Sequence, residues 1–173
     1  EMYPSLPLVD TSLGIMRVDD DPHLWTSPDN MAVIARNICA ALCLMDSADA
    51  AGYKARLQTA EKMIAATDTA IRSKLADLSC RSFLVFHPSL TYYARLYGVN
   101  QIALEEHGKE PTAAHLKHIV DEARSSGIRN VLVQAEFDKE HALAIARELG
   151  ADLFSDDDTA DHRAFYVAET AEN

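Results

Sequence analysis

From residue 80 onward the chain alternates short apolar runs with helical segments, and this alternation restricts its folding more than any other feature. The runs are Phe83 to Phe86, Gln101 to Leu104, Asn130 to Gln134 and Ala151 to Phe154. Between them the apolar spacing predicts helices over about 89–97, 112–126 and 139–149. The last two run into Gly127 and Gly150, and glycine readily takes the left-handed conformation of a helix stop. Parallel strands need a connection long enough to hold a helix, so the pattern implies an α/β fold. The expected architecture is a parallel four-stranded sheet with flanking helices.

Upstream, the period is helical throughout. Ser27-Pro28 supplies an N-cap followed by proline in the first helical position. Met31, Ile34, Ala35, Ile38, Leu42 and Met45 then carry a helix to about residue 45, and Asp46 to Asp49 break it. Tyr53, Leu57, Ala60, Ile64, Ile71, Leu75 and Leu78 resume the three-four spacing, with no Gly or Pro between 53 and 79. That predicts one long linker helix of roughly 40 Å, at 1.5 Å per residue, acting as a strut. Residues 1–27, rich in Pro and Asp with one apolar run from Leu6 to Val9, read as a strand or extended tail ending in a loop. The expected organisation is therefore 1–27 as tail and loop, 28–79 as helices, and 80–173 as the α/β lobe.

Length, composition and charge exclude several classes. The 173 residues suffice for one sizeable core, and 48% apolar content is too high for disorder. No apolar stretch approaches the roughly 18 residues of a membrane span, so no direct membrane insertion by this chain is expected. Sixteen basic against 27 acidic residues leave a net charge of −11, which repels phosphate backbones and argues against nucleic acid as a partner. Cys39 and Cys43 lie one helical turn apart and Cys80 is distant. With no C-x-x-C, buried small hydrophobes are a better reading than a zinc-thiolate cluster. Glu1-Met2-Tyr3-Pro4 shows no basic region followed by an apolar one, so no export signal is expected within the chain.

In an open parallel sheet, ligands bind beyond the carboxyl ends of the strands. The residues there are His87-Pro88, Glu105-Glu106-His107, Gln134 to Glu136, and Ser155-Asp156-Asp157-Asp158. An imidazole and several carboxylates converging on one edge make a candidate cation site. A second imidazole, His23, stands in Asp21-Pro22-His23-Leu24-Trp25, just before the first helix. Each has a plainer reading, as a hydrogen-bonded structural histidine or a solvated acidic loop. His115 and His118 lie opposite the stripe Ala113, Leu116, Ile119, Val120 and Ala123, which reads as a solvated helix face. His107 reads as an exposed loop residue before an auxiliary metal contact, and His141 sits at the polar edge of its helix. There is no G-x-G-x-x-G, P-loop, G-x-S-x-G or H-E-x-x-H. Ser89 follows His87 by two residues, but nothing in the sequence supplies an orienting acid or an oxyanion hole.

Several segments occur together and in order: Asp21-Pro22-His23-Leu24-Trp25-Thr26-Ser27-Pro28, the long helix, Phe86-His87-Pro88-Ser89-Leu90-Thr91-Tyr92-Tyr93, Gly108-Lys109-Glu110-Pro111-Thr112, and Val133-Gln134-Ala135-Glu136-Phe137. The chain thereby resembles the zinc/manganese-type metal-binding solute receptors of bacterial ABC importers. The resemblance implies two α/β lobes joined by a long helix, with a metal ion held by residues of both. It places His23 and His87 on ligand positions and the acidic turn after the last strand on the carboxylate ligand, Asp156, with Asp157 as the alternative. Imidazole at the His87 position, where manganese-type members tend to carry a carboxylate, favours Zn²⁺ over Mn²⁺. The match begins where the family's first lobe is ending, so the histidine of that lobe is not among these residues. The short Arg17 to Asp20 stretch has no His, whereas a His-rich acidic loop commonly precedes Asp-Pro-His in zinc-type members.

The resemblance thus implies an extracytoplasmic or periplasmic receptor, lipid-anchored in some forms, that captures Zn²⁺ and presents it to the membrane permease subunits of an ABC importer without turnover. Two rival readings stay open at this point. One is a metal-dependent hydrolase with Glu136 as general base. The other is a fragment or paralogue that binds no metal and acts as an interaction module.

Overall fold

The computed structural model describes residues 7–105, 112–128, 130–133 and 139–155. It divides into two compact units, 1–70 and 71–173. The first unit opens with irregular chain. The described part of the Leu6 to Val9 run forms no strand, and Leu8 is almost wholly exposed, since a strand without a partner leaves its backbone groups to solvent. Asp10 Oδ1 accepts from the Ser12 N–H at 2.9 Å and from its hydroxyl at 2.6 Å, setting a turn at residues 11–14. Asn37 anchors that turn by donating to the Thr11 and Leu13 carbonyls, both at 2.9 Å.

Helix α1, Pro28–Met45, follows a short 3-10 turn at Leu24–Thr26. Proline at its first position removes a donor that would have had no helical partner. Ser27 caps through its backbone alone, its carbonyl accepting from Met31 N–H at 2.9 Å. Helix α2, Ala50–Leu75, has 26 residues and so extends about 39 Å. Across the break between the helices, Tyr53 donates to Asp46 Oδ2 at 3.0 Å and Arg56 pairs with Asp49 at 2.7 Å. Cys39 is buried and Cys43 half-buried, their sulfurs 4.0 Å apart. Burial, then the contact with Cys43, pushes the Cys39 thiol up, which keeps it a neutral packing group.

In the second unit, strands β1 (Ser82–Val85), β2 (Asn100–Ala103), β3 (Asn130–Val133) and β4 (Asp152–Ser155) form one sheet in the order β2-β1-β3-β4. Every pairing is parallel, as expected. Helices α3 (Thr91–Tyr97), α4 (Ala113–Ser125) and α5 (Lys139–Leu149) connect the strands. Because side chains alternate along a strand, the run Phe83-Leu84-Val85-Phe86 feeds both faces. Leu84 and Phe86 join Ile119, Val120 and Ala123 of α4 and Ala142, Ile145 and Ala146 of α5. Phe83 and Val85 join Ile71 and Leu75 at the end of α2 with Tyr93, Ala94 and Tyr97 of α3. The result is a sheet covered on both sides. Gly127 and Gly150 adopt φ of 67° and 63°, and the residues after them return hydrogen bonds to Ala123 and Ala146, closing α4 and α5 where the sequence predicts.

Arg81 closes the other side of the sheet. Its guanidinium donates to the carbonyls of Leu75 at 3.3 Å, Tyr97 at 2.9 Å and Gly98 at 3.1 Å, the last residues of α2 and α3 and the cap that follows. A cation there satisfies carbonyls that the helices leave unbonded and opposes two negative dipole ends. Arg81→Ala is expected to lower the stability of this unit by about 1–2 kcal/mol. Urea unfolding followed by circular dichroism measures it, and an unchanged midpoint would show the clamp to be inert.

Candidate metal centre

The sheet order places a switch point between β1 and β3, because the chain leaves β1 toward β2 on one side and reaches β3 on the other. Ligand sites of open α/β sheets lie beyond the carboxyl ends at such points. His87 stands there. Phe86 is bonded on both sides, its N–H to Leu132 O at 3.0 Å and its carbonyl to Glu105 N–H at 3.0 Å, so β1 is held rigidly up to the residue before His87. Past it, Ser89 N–H turns back to the His87 carbonyl at 2.8 Å across Pro88. Gln101 of β2 then accepts from Leu90 N–H at 2.7 Å, tying the far end of the loop to the sheet.

Glu105, at the carboxyl end of β2, holds the ring. Its Oε2 lies 2.6 Å from His87 Nδ1, and only 9% of its side chain is exposed against 29% for His87. An ionised carboxylate can only accept, so the hydrogen belongs on Nδ1. The sequence put Glu105 on the same edge as His87; the structure adds that the two are partners. Tyr93, on the buried side of α3, stays a neutral phenol, since burial pushes its hydroxyl up to about 12.

In the first unit, His23 is built by its own neighbours. Asp21 Oδ1 accepts from the His23 backbone N–H at 2.8 Å and lies 2.6 Å from its Nδ1. Trp25 meets the ring edge-on, with centroids 5.5 Å apart, while Leu24 buries its side chain and Asn30 donates to the Leu24 carbonyl at 3.0 Å. The His23 carbonyl accepts from the Thr26 hydroxyl at 2.9 Å, closing the 3-10 turn. The loop is thus self-organised by a side chain two residues upstream of the imidazole.

Asp156, with Asp157, lies outside the described residues, as do Glu106, His107, Gln134 and Glu136. The residue before Asp156, Ser155, ends β4 in register with Val133 of β3. His118 is exposed, as its helical position predicts. His115 departs from that reading: its ring is half-buried, and among the described residues its Nε2 is shielded without a hydrogen-bond partner. A helical wheel reports a face of α4 and says nothing of what covers the first turn. Among the described residues no group of three or more His, Cys, Asp or Glu side chains gathers in metal-binding geometry, and no helix is long and apolar enough to cross a membrane.

Comparison with known proteins gives a consistent result. The family model described as ZnuA, zinc-uptake complex component A periplasmic, matches residues 6–167. A putative metal-binding protein of Treponema pallidum (strain Nichols) is 28% identical over 135 residues, covering 77% of this chain and 43% of its own length. The high-affinity zinc uptake system protein ZnuA of Paracoccus denitrificans (strain Pd 1222) is 30% identical over 127 residues, covering 72% of this chain and 39% of its own. A crystal structure of ZnuA superposes with a TM-score of 0.84 at 32% identity, over 87% of this chain and 61% of that one. The chain therefore spans less than half the length of these two curated relatives.

Proposed function

Because the chain belongs to the family of the periplasmic zinc-uptake component A, we propose that it is part of an extracytoplasmic receptor that captures Zn²⁺ and delivers it to the permease subunits of an ABC importer. Zn²⁺ is cargo in this reading, bound and released unchanged. The proposed donors are His23, His87 and Asp156. In the proposed division of labour residues 1–27 supply the His23 loop, 28–79 the helices, and 80–173 the lobe that carries His87 and Asp156. The intact receptor is proposed to work in the periplasm or elsewhere outside the cytoplasm, held there by a lipid anchor.

The observation that supports this most is the pairing of both histidines with a carboxylate through Nδ1, at 2.6 Å in each case. Metal-binding histidines characteristically donate their second nitrogen to such a partner. Two imidazoles with one carboxylate also suit Zn²⁺ better than Mn²⁺, which prefers oxygen donors.

Calorimetric titration of the chain with each metal is the test. Saturable one-to-one binding, tighter for Zn²⁺, is expected, and tighter Mn²⁺ binding would overturn the metal assignment. Zinc-dependent ester or phosphate hydrolysis abolished by Glu136→Gln, with Zn²⁺ affinity unchanged, would replace the receptor with an enzyme.

A further inference from the structure

The two histidines are held by the same atom but by different means. At His23 the grip is local: Asp21 is two residues away, and one oxygen serves both the backbone N–H and the ring. Pro22 between them restricts the chain to a turn that keeps this geometry. At His87 the grip is long-range. Glu105 comes from the neighbouring strand, 18 residues on, and the bond from its own N–H to Phe86 O fixes its backbone beside the loop. Two unrelated constructions with one outcome on the imidazole point to the ring nitrogen as the feature being controlled.

Chemistry gives that control a purpose. A neutral imidazole has one N–H and one lone pair, and only the lone pair binds a metal. Free imidazole side chains favour the hydrogen on Nε2, which would mask that nitrogen. A carboxylate accepting from Nδ1 reverses the preference. We propose that Glu105 and Asp21 are positioning residues that fix His87 and His23 in the Nδ1–H tautomer, so that Nε2 is the atom given to Zn²⁺ and neither carboxylate is itself a ligand. The consequence for zinc rests on the receptor reading above, whereas the consequence for the tautomer is a property of the metal-free chain.

The two parts are measured separately. Nitrogen-15 NMR of the metal-free chain, above the pH range of histidine protonation, reports the tautomer of each ring. His87 is expected as Nδ1–H in the wild type and in Glu105→Gln, whose amide oxygen still accepts, and to move toward Nε2–H in Glu105→Ala. Zn²⁺ affinity should fall about ten- to a hundredfold in Glu105→Ala, with partial recovery in Glu105→Gln. The Gln variant keeps size and hydrogen bond, so it also controls for damage to the fold. An Nε2–H ring in the wild type, or an unchanged tautomer in Glu105→Ala, overturns the proposal. So does a loss in Glu105→Gln as large as in His87→Ala, which would make Glu105 a ligand. If the tautomer moves in Glu105→Ala but Zn²⁺ affinity is unchanged in both that variant and His87→Ala, the zinc reading fails and the role of Glu105 on the ring stands.

Discussion

Replacing His87 by alanine is expected to weaken Zn²⁺ binding by about a hundredfold or more, since loss of an outer partner of a ligand already costs ten- to a hundredfold. The substitution removes one of the three proposed donors and leaves the Glu105 carboxylate, with 9% of its side chain exposed, without the ring it now holds. It should leave the fold intact, because His87 follows Phe86, the last residue bonded to strands on both sides. The readout is built into the chain. Trp25 is its single tryptophan and lies edge-on to His23 at 5.5 Å, so an ion taken by His23 should alter its emission. In His87→Ala the emission change should require correspondingly more Zn²⁺. A titration curve superimposable on that of the wild type would remove His87 from the donor set.

What the sequence reveals and conceals follows from the range of the interactions involved. Strand positions were legible to within a residue or two, because a sheet buried on both faces writes itself as an unbroken apolar run such as Phe83 to Phe86. The stops of α4 and α5 were legible because Gly127 and Gly150 meet a local steric demand. Helix α2 starts at Ala50 and ends at Leu75, whereas spacing alone suggests 53–79. Ala50, Ala51 and Gly52 carry no large apolar side chain to mark the helix start, and Leu78 still packs against the core after the backbone has left the helix. Arg81 donating to the Leu75 carbonyl helps fix that earlier end.

The candidate site divides along the same line. Asp21 and His23 are two residues apart, and their pairing belongs to a local turn that motif reading can approach. The Glu105–His87 pair depends on β1 lying beside β2 in the register Val85 to Ala103, a tertiary fact with no local trace. Sequence reasoning could place both residues at strand ends and stop there. The apolar stripe of α4 likewise assigns His115 to a solvated face, whereas the residue is half-buried with its Nε2 shielded.

Leu84→Ala should produce the largest loss of stability, about 3–5 kcal/mol in the second unit. Leu84 is wholly buried on the central strand, in register with Ile102 of β2 on one side and Val131 of β3 on the other, both buried on the same face. Helices α4 and α5 close over that row with Ile119, Val120, Ala142 and Ile145. A cavity there is walled by three strands and two helices, so little can collapse into it, which puts the cost toward the upper part of the range for such truncations. Met63→Ala is the matched control: Met63 is 60% exposed on α2 and should shift stability by no more than about 0.5 kcal/mol. Amide hydrogen exchange resolves the effect by element. Protection of the β1 and β3 amides should fall by the full amount in Leu84→Ala, while amides of α1, which belong to the first unit, should lose far less. Equal losses in both units would mean that the chain unfolds as a single cooperative body, and a loss below 1 kcal/mol would refute the placement of Leu84 at the centre of the core.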